Sequence, residues 1–274
     1  MKIALMDSGI GLLPAAAAVH RLRPDADLVL SSDPGSMPWG PRTPEDVTQR
    51  ALACVRAAAA HRPDALIVAC NTASVHALSA LRAELEPGLP VIGTVPAIKP
   101  AAAGGGPVAI WATPATTGSP YQRRLISDFA DGVTVTEVAC PGLAEAVQRA
   151  DSAAIDAAVA DAAARTPRDI RALVLGCTHY ELVADRIRAA VQPADAPPIA
   201  LHASAGAVAA QALRRIGATP TPSGEAGQAA SSALSDLPQG RLTVLLSGHE
   251  AAMPEAALAY AEGRLLAAEP LARG

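Results

Sequence analysis

Nine short runs of nearly continuous apolar residues constrain this chain more than any other feature: KIALM (2–6), DLVLSS (27–32), ALIVAC (65–70), PVIGTV (90–95), PVAIWA (107–112), VTVTEVA (133–139), ALVLGC (172–177), PPIAL (197–201) and LTVLLS (242–247). A strand with one wet face alternates apolar and polar side chains, whereas an unbroken apolar run needs cover on both faces. The cover is legible in the Ala-rich segments between the runs. In 44–61, for example, Val47, Ala51, Cys54, Val55 and Ala58 recur at helical spacing. Strands alternating with amphipathic helices define an α/β class, with mainly parallel sheets flanked by helices.

A chain of 274 residues exceeds one ordinary core and suits two lobes of roughly 100–150 residues each. Its formal net charge is −4 with both signs interspersed, which gives no basic footprint for nucleic acid. Two Trp, three Tyr and one Phe leave no row of aromatic platforms for base stacking. The start MKIALMDSG has only four apolar residues between Lys2 and Asp7, shorter than a secretion-signal core, and no stretch reaches the ~20 apolar residues of a membrane span. A cytoplasmic location is expected. Its reducing conditions leave Cys54, Cys70, Cys140 and Cys177, which show no CxxC spacing, as single thiols.

In open parallel sheets ligands bind beyond the carboxyl ends of the strands, so chemistry is sought where strands pass into helices. DSGIG (7–11) is half of a dinucleotide fingerprint, but Pro14 stands where the third glycine of GxGxxG belongs. AAAGGGP precedes a strand and cannot offer a helix N-terminus to a phosphate. The informative pair is ALIVACNTAS (65–74) with ALVLGCTHYE (172–181): apolar strand, small residue, Cys, then polar residues. If the two lobes are similar units facing one another, Cys70 and Cys177 occupy corresponding strand ends and meet across one cleft. A free thiol titrates at ~8.5, so one thiolate can take a proton from one face of a carbon while the opposite thiol delivers a proton to the other. That inverts a stereocentre. Asn71, Thr72, Thr178 and His179, beside the thiols at helix starts, would offer donors to a carboxylate.

The series DSGIG (7–11), PWG (38–40), ACNTAS (69–74), PVIGTVPAIKPA (90–101), ATPATTGSPY (112–121), CPGLAEAVQ (140–148) and LGCTHY (175–180) resembles the glutamate racemases of the cofactor-independent aspartate/glutamate racemase superfamily. The resemblance implies two pseudo-symmetric α/β domains with the active site in the cleft between them. The second is inserted in the first, with expected bounds 1–93 plus 205–274 and 94–204 on a domain-size prior. It implies interconversion of L- and D-glutamate, supplying D-glutamate for peptidoglycan, with no metal, pyridoxal phosphate or nicotinamide. By the same resemblance Cys70 is the base for D-glutamate and Cys177 the base for L-glutamate, assisted by Asp7 and His179 respectively. Ser8, Trp39, Gly40, Asn71, Thr72, Thr116 and Thr178 would hold the substrate's ammonium and carboxylate groups. Glutamate is then the small-molecule partner, nucleic acid and membranes are not partners, and a homodimer is the candidate assembly.

Three departures from the family pattern bear on these expectations. Pro14, in DSGIGLLP where many members read DSGVGGLS, suits a first helical turn. Trp39 stands where the family usually has Tyr, which removes a hydroxyl and enlarges the ring at the cleft edge. Gln148 stands where the CPxLxxLVE segment ends in Glu; it hydrogen-bonds but accepts no proton, so reduced activity from L-glutamate is expected unless Glu145, one turn earlier, substitutes. Alternatives are a racemase of aspartate, a hydantoin or another small acid in the superfamily, a non-catalytic member, and a thiol redox protein. Cys54 and Cys140 read as structural, and His20, His61 and His76 as solvated. His202 and His249 follow strands without a motif, and 217–238 reads as a mobile surface connection.

Overall fold

A computed structural model describes residues 1–192, 197–221 and 240–268. Ten strands form in chain order: β1 (Lys2–Asp7), β2 (Asp27–Ser32), β3 (Ala65–Val68), β4 (Val91–Gly93), β5 (Val108–Ala112), β6 (Val135–Ala139), β7 (Ala172–Leu175), β8 (Ala200–His202), β9 (Leu242–Leu246) and β10 (His249–Glu250). They make two sheets, ordered β10-β9-β2-β1-β3-β4 and β6-β5-β7-β8. Every pairing is parallel except the short return of β10 on β9. The first four strands of the chain and the next four follow the same spatial order, second-first-third-fourth, so one sheet repeats the other, with β9 and β10 added at the β2 edge.

Apolar runs become strands here because both sheet faces are covered. Along β1, Ile3 and Leu5 join the core cluster on one face, while Ala4 and Met6 join the cluster on the other, all fully buried. Fully burying a side chain the size of Ile3, Leu5 or Met6 is worth about 1.5–3 kcal/mol. The helix Leu13–Leu22, with Pro14 in its first turn, packs against the helix Ala205–Arg215. The helix Pro44–Ala59 buries Val47, Ala51, Cys54, Val55 and Ala58, the stripe read from the sequence, and Thr43 caps it by accepting the Asp46 N–H at 3.2 Å.

Strands β3 and β7 are shorter than their apolar runs because the final cysteine of each caps a helix. Cys70 (φ −143°, ψ 119°) precedes the helix Asn71–His76, and Cys177 (φ −139°, ψ 134°) precedes the helix Thr178–Glu181. The repeated motif is a repeated backbone. Among the described residues no helix is long and apolar enough to cross a membrane. The connection expected at 217–238 falls, from 222 onward, outside the described residues.

Candidate active site

The chain leaves β1 for β2 on one side and returns to β3 on the other, and it repeats this around β5. Loops that diverge in this way open a crevice at the carboxyl ends of the strands. The two crevices face each other and enclose a cavity of about 230 Å³. All eleven residues singled out in the sequence line it: Asp7 and Ser8 from the end of β1; Trp39 and Gly40 from the loop after β2; Cys70, Asn71 and Thr72 after β3; Thr116 after β5; and Cys177, Thr178 and His179 after β7.

Asp7 is fully buried. Its Oδ1 accepts from the Ser8 N–H (2.6 Å) and hydroxyl (3.2 Å), and its Oδ2 accepts from the Thr178 hydroxyl (3.3 Å). Burial raises its carboxyl to about 7, against the pull of hydrogen bonds from Cys70, Ser8 and Thr178. Asp7 therefore titrates near neutral pH. Burial also pushes the Cys70 thiol well up, the Asp7 charge adds to this, and the backbone N–H groups of Ala73 and Ser8 oppose it. The Cys177 thiol is pushed up by burial as well, opposed chiefly by the backbone N–H groups of His179 and Tyr180. Both thiols are therefore held protonated at neutral pH.

Burial lowers His179 to about 4, so its imidazole is neutral at neutral pH. Its Nε2 lies 3.1 Å from Gln148 Oε1 and its Nδ1 lies 3.9 Å from Asp7 Oδ2. Gln148 Oε1 also accepts the Ile10 N–H at 2.9 Å. The Asn71 side chain donates to the Gly176 carbonyl at 2.8 Å, which ties the β3 end to the β7 end, while its buried Oδ1 has no partner. A Cβ on Gly11 would lie 2.3 Å from Asp7 Oδ2 and 2.5 Å from both His179 Nδ1 and Thr178 Oγ1. The missing side chain lets these three polar groups converge.

Trp39, expected at the cleft edge, is 2% exposed. Its ring belongs to the core below the site, and its N–H is spent on the Ser36 hydroxyl at 2.7 Å. Cys140, read as structural, also lines the cleft, one residue past β6. The rule that flagged Cys70, a cysteine at a strand end, applies equally to Cys140. Met37 lines the cavity with no motif to announce it, and Thr113, within ATPATTGSPY but given no role there, lines it too. Glu145 lines it too, but Gln148 makes the contact to His179. His20 and His61 are half-buried where solvation was expected, His76 is exposed, and neither these nor His202 and His249 line the cavity.

Among the described residues no set of three or more His, Cys, Asp or Glu is grouped as metal ligands. Among the described residues the ionisable lining groups are Asp7, Glu145, His179 and the thiols Cys70, Cys140 and Cys177. A carboxylate entering the cleft therefore meets hydroxyls and backbone N–H groups instead of a guanidinium or ammonium.

Residues 13–216 match the Asp/Glu/hydantoin racemase family. The glutamate racemase of Roseiflexus sp. (strain RS-1) is 40% identical over 195 residues, covering 68% of this chain and 70% of that protein. The glutamate racemase of Pseudomonas putida (strain W619) is 35% identical over 219 residues, covering 78% and 80%. The crystal structure of Escherichia coli glutamate racemase, in complex with L-glutamate and the activator UDP-MurNAc-ala, superposes with a TM-score of 0.73 at 25% identity, covering 94% of this chain and 91% of that one. Matched over most of its length, the chain belongs to the Asp/Glu/hydantoin racemase family and is an isomerase.

Proposed function

We propose that the protein interconverts L- and D-glutamate by two-base proton transfer at the α-carbon, without a cofactor, and so supplies D-glutamate for peptidoglycan in the cytoplasm. The observation that carries this reading is the pair of thiols at matching helix caps, both lining one cleft. The names of the relatives support glutamate as the substrate.

Cys70 removes the α-proton of D-glutamate while Cys177 protonates the opposite face, and the reverse direction exchanges their roles. A base must first be made, because burial holds both thiols protonated. The substrate's ammonium supplies the nearby positive charge that favours a thiolate. It is received by Asp7 and by the unpartnered Asn71 Oδ1. Asp7, hydrogen-bonded to Cys70 and titrating near 7, takes the thiol proton on that side, and His179 supports Cys177 on the other. Gly40, Thr72 and Thr116 present hydroxyls and backbone N–H groups to the two carboxylates, where negative charge develops as the α-proton leaves, while Ser8 and Thr178 donate their hydroxyls to Asp7 and hold it in place. Trp39 bounds the pocket by packing, its N–H being already engaged.

The same reading divides the chain into a first domain of 1–93 plus 205–274 and a second of 94–204. It is supported by one sheet drawing on strands before 94 and after 241 while the other uses only strands between 108 and 202. The test is incubation of the protein with each enantiomer of glutamate, of aspartate and of a substituted hydantoin, followed by circular dichroism. The ellipticity of either glutamate enantiomer should decay to zero. An inert response to glutamate with turnover of another acid would replace the substrate, and no turnover of any would overturn the reading.

A further inference from the structure

We propose that Gln148 is a positioning residue that locks His179 in the tautomer carrying its hydrogen on Nε2, so that a bare Nδ1 turns toward Asp7 and Thr178. The argument begins at Ile10, whose backbone N–H lies 2.9 Å from the Gln148 side-chain oxygen. An amide nitrogen accepts no hydrogen bond, so this contact fixes which end of the Gln148 amide faces the cleft. The same oxygen lies 3.1 Å from His179 Nε2. Facing an acceptor, Nε2 must donate. A neutral imidazole has one N–H, and Nδ1 is left as the acceptor. Gly9 makes room for this arrangement, since a Cβ there would fall 2.0 Å from Gln148 Oε1.

The lock spans the two sheets. Gln148 ends the helix Leu143–Gln148 that follows β6, whereas Ile10 opens the 3₁₀ turn Ile10–Leu12 that follows β1. Of the elements around the ring, β1 brings Asp7, the helix Leu143–Gln148 brings Glu145, the cap brings Cys177, and the helix Thr178–Glu181 that carries His179 also brings Tyr180 and Glu181. The turn Ile10–Leu12 and β7 bring no titratable side chain. A carboxylate at position 148 would accept the same two hydrogen bonds and add a charge that favours the imidazolium; the amide accepts them without that charge. Resting on the racemase reading, the consequence is that His179 orients the Cys177 side and takes up no proton between about pH 5 and 8.

The test is long-range ¹H–¹⁵N NMR on the full chain, with His179 signals assigned by their loss in His179→Asn. The wild-type protein should show a protonated Nε2 and a pyridine-like Nδ1, unchanged from pH 5 to 8. Gln148→Leu should lose this pure state and populate the Nδ1–H tautomer. Gln148→Glu, which keeps the size and the acceptor, should raise the His179 midpoint by about 1–3 pH units. A wild-type Nδ1–H tautomer, a pure Nε2–H state retained in Gln148→Leu, or an unmoved midpoint in Gln148→Glu would each overturn the proposal. If Gln148→Leu fails to fold, the wild-type tautomer and the Gln148→Glu titration still decide it. None of these readouts requires turnover, so a failed racemase assay leaves the result intact.

Discussion

Replacing Asp7 by Asn should abolish activity and at the same time make the folded protein more stable, most of all in alkaline solution. The carboxyl has no exposed surface and is raised from 3.8 to about 7. Between those values the unfolded chain has released the Asp7 proton while the folded chain still holds it, so stability falls as pH rises through this window and levels off above pH 7. With one pKa unit worth about 1.4 kcal/mol, the penalty is about 1.5 kcal/mol at pH 5 and about 4 kcal/mol at pH 8, to order of magnitude. Asn keeps the shape and the Oδ1 acceptor used by Ser8, and it cannot ionise. Urea denaturation of both proteins at pH 5 and pH 8 should show Asp7→Asn the more stable, with the gap widening by about 2–3 kcal/mol between the two pH values. His179, whose own pKa drops from 6.5 to about 4 on folding, titrates in both proteins and cancels from the difference. A gap independent of pH, or a wild-type protein more stable at pH 8, would refute the reasoning. The expected trade is that of a site holding a group against stability for its chemistry.

Cys70→Ser and Cys177→Ser should each lower kcat/KM by at least about 10²-fold with unchanged far-UV circular dichroism, since a hydroxyl is a far weaker acid than a thiol; a loss under tenfold in either would argue against its role. Gly11→Ala drives a methyl into Asp7, His179 and Thr178. It should destabilise by about 1–3 kcal/mol in urea and reduce turnover of the remaining folded protein, which an active-site titration would separate. Tyr260→Phe removes a 2.6 Å hydrogen bond to the Val147 carbonyl, next to Gln148, and should cost about 1–2 kcal/mol in the same assay.

The expectation that Gln148 would weaken activity from L-glutamate alone needs restating in thermodynamic terms. Enantiomers have equal free energies, so kcat/KM must be equal in the two directions. An effect of Gln148 on one direction can appear only as kcat and KM changing together.

The central apolar runs, such as those of β1, β3, β5 and β7, were readable as strands because burial on both faces leaves no polar alternation to blur them, whereas β6 at the edge of its sheet alternates and is largely half-buried. Strand β10 was not, having only two residues, both exposed, that follow a turn at Ser247 and Gly248 with positive φ. The cleft was readable at Cys70 and Cys177 because a strand-cap motif repeats locally. The contacts that shape their surroundings join distant parts of the chain: Ile10 with Gln148, Asn71 with Gly176, Thr178 with Asp7. No periodicity encodes such pairs, since they exist only once the two sheets face each other. Trp39 shows the limit for a single side chain. Its position in the loop was clear from the sequence, but whether the indole N–H faced substrate or Ser36 depended on packing beneath the site.

The central claim is two bases on opposite faces of one carbon, and the most direct measurement is NMR of each glutamate enantiomer turning over in D₂O at early times. Two-base transfer predicts that product from either enantiomer carries deuterium at the α-carbon while the recovered substrate retains its proton. Deuterium entering the substrate as fast as the product forms would indicate a single base reaching both faces, and product that keeps the original proton would contradict exchange with two separate thiols.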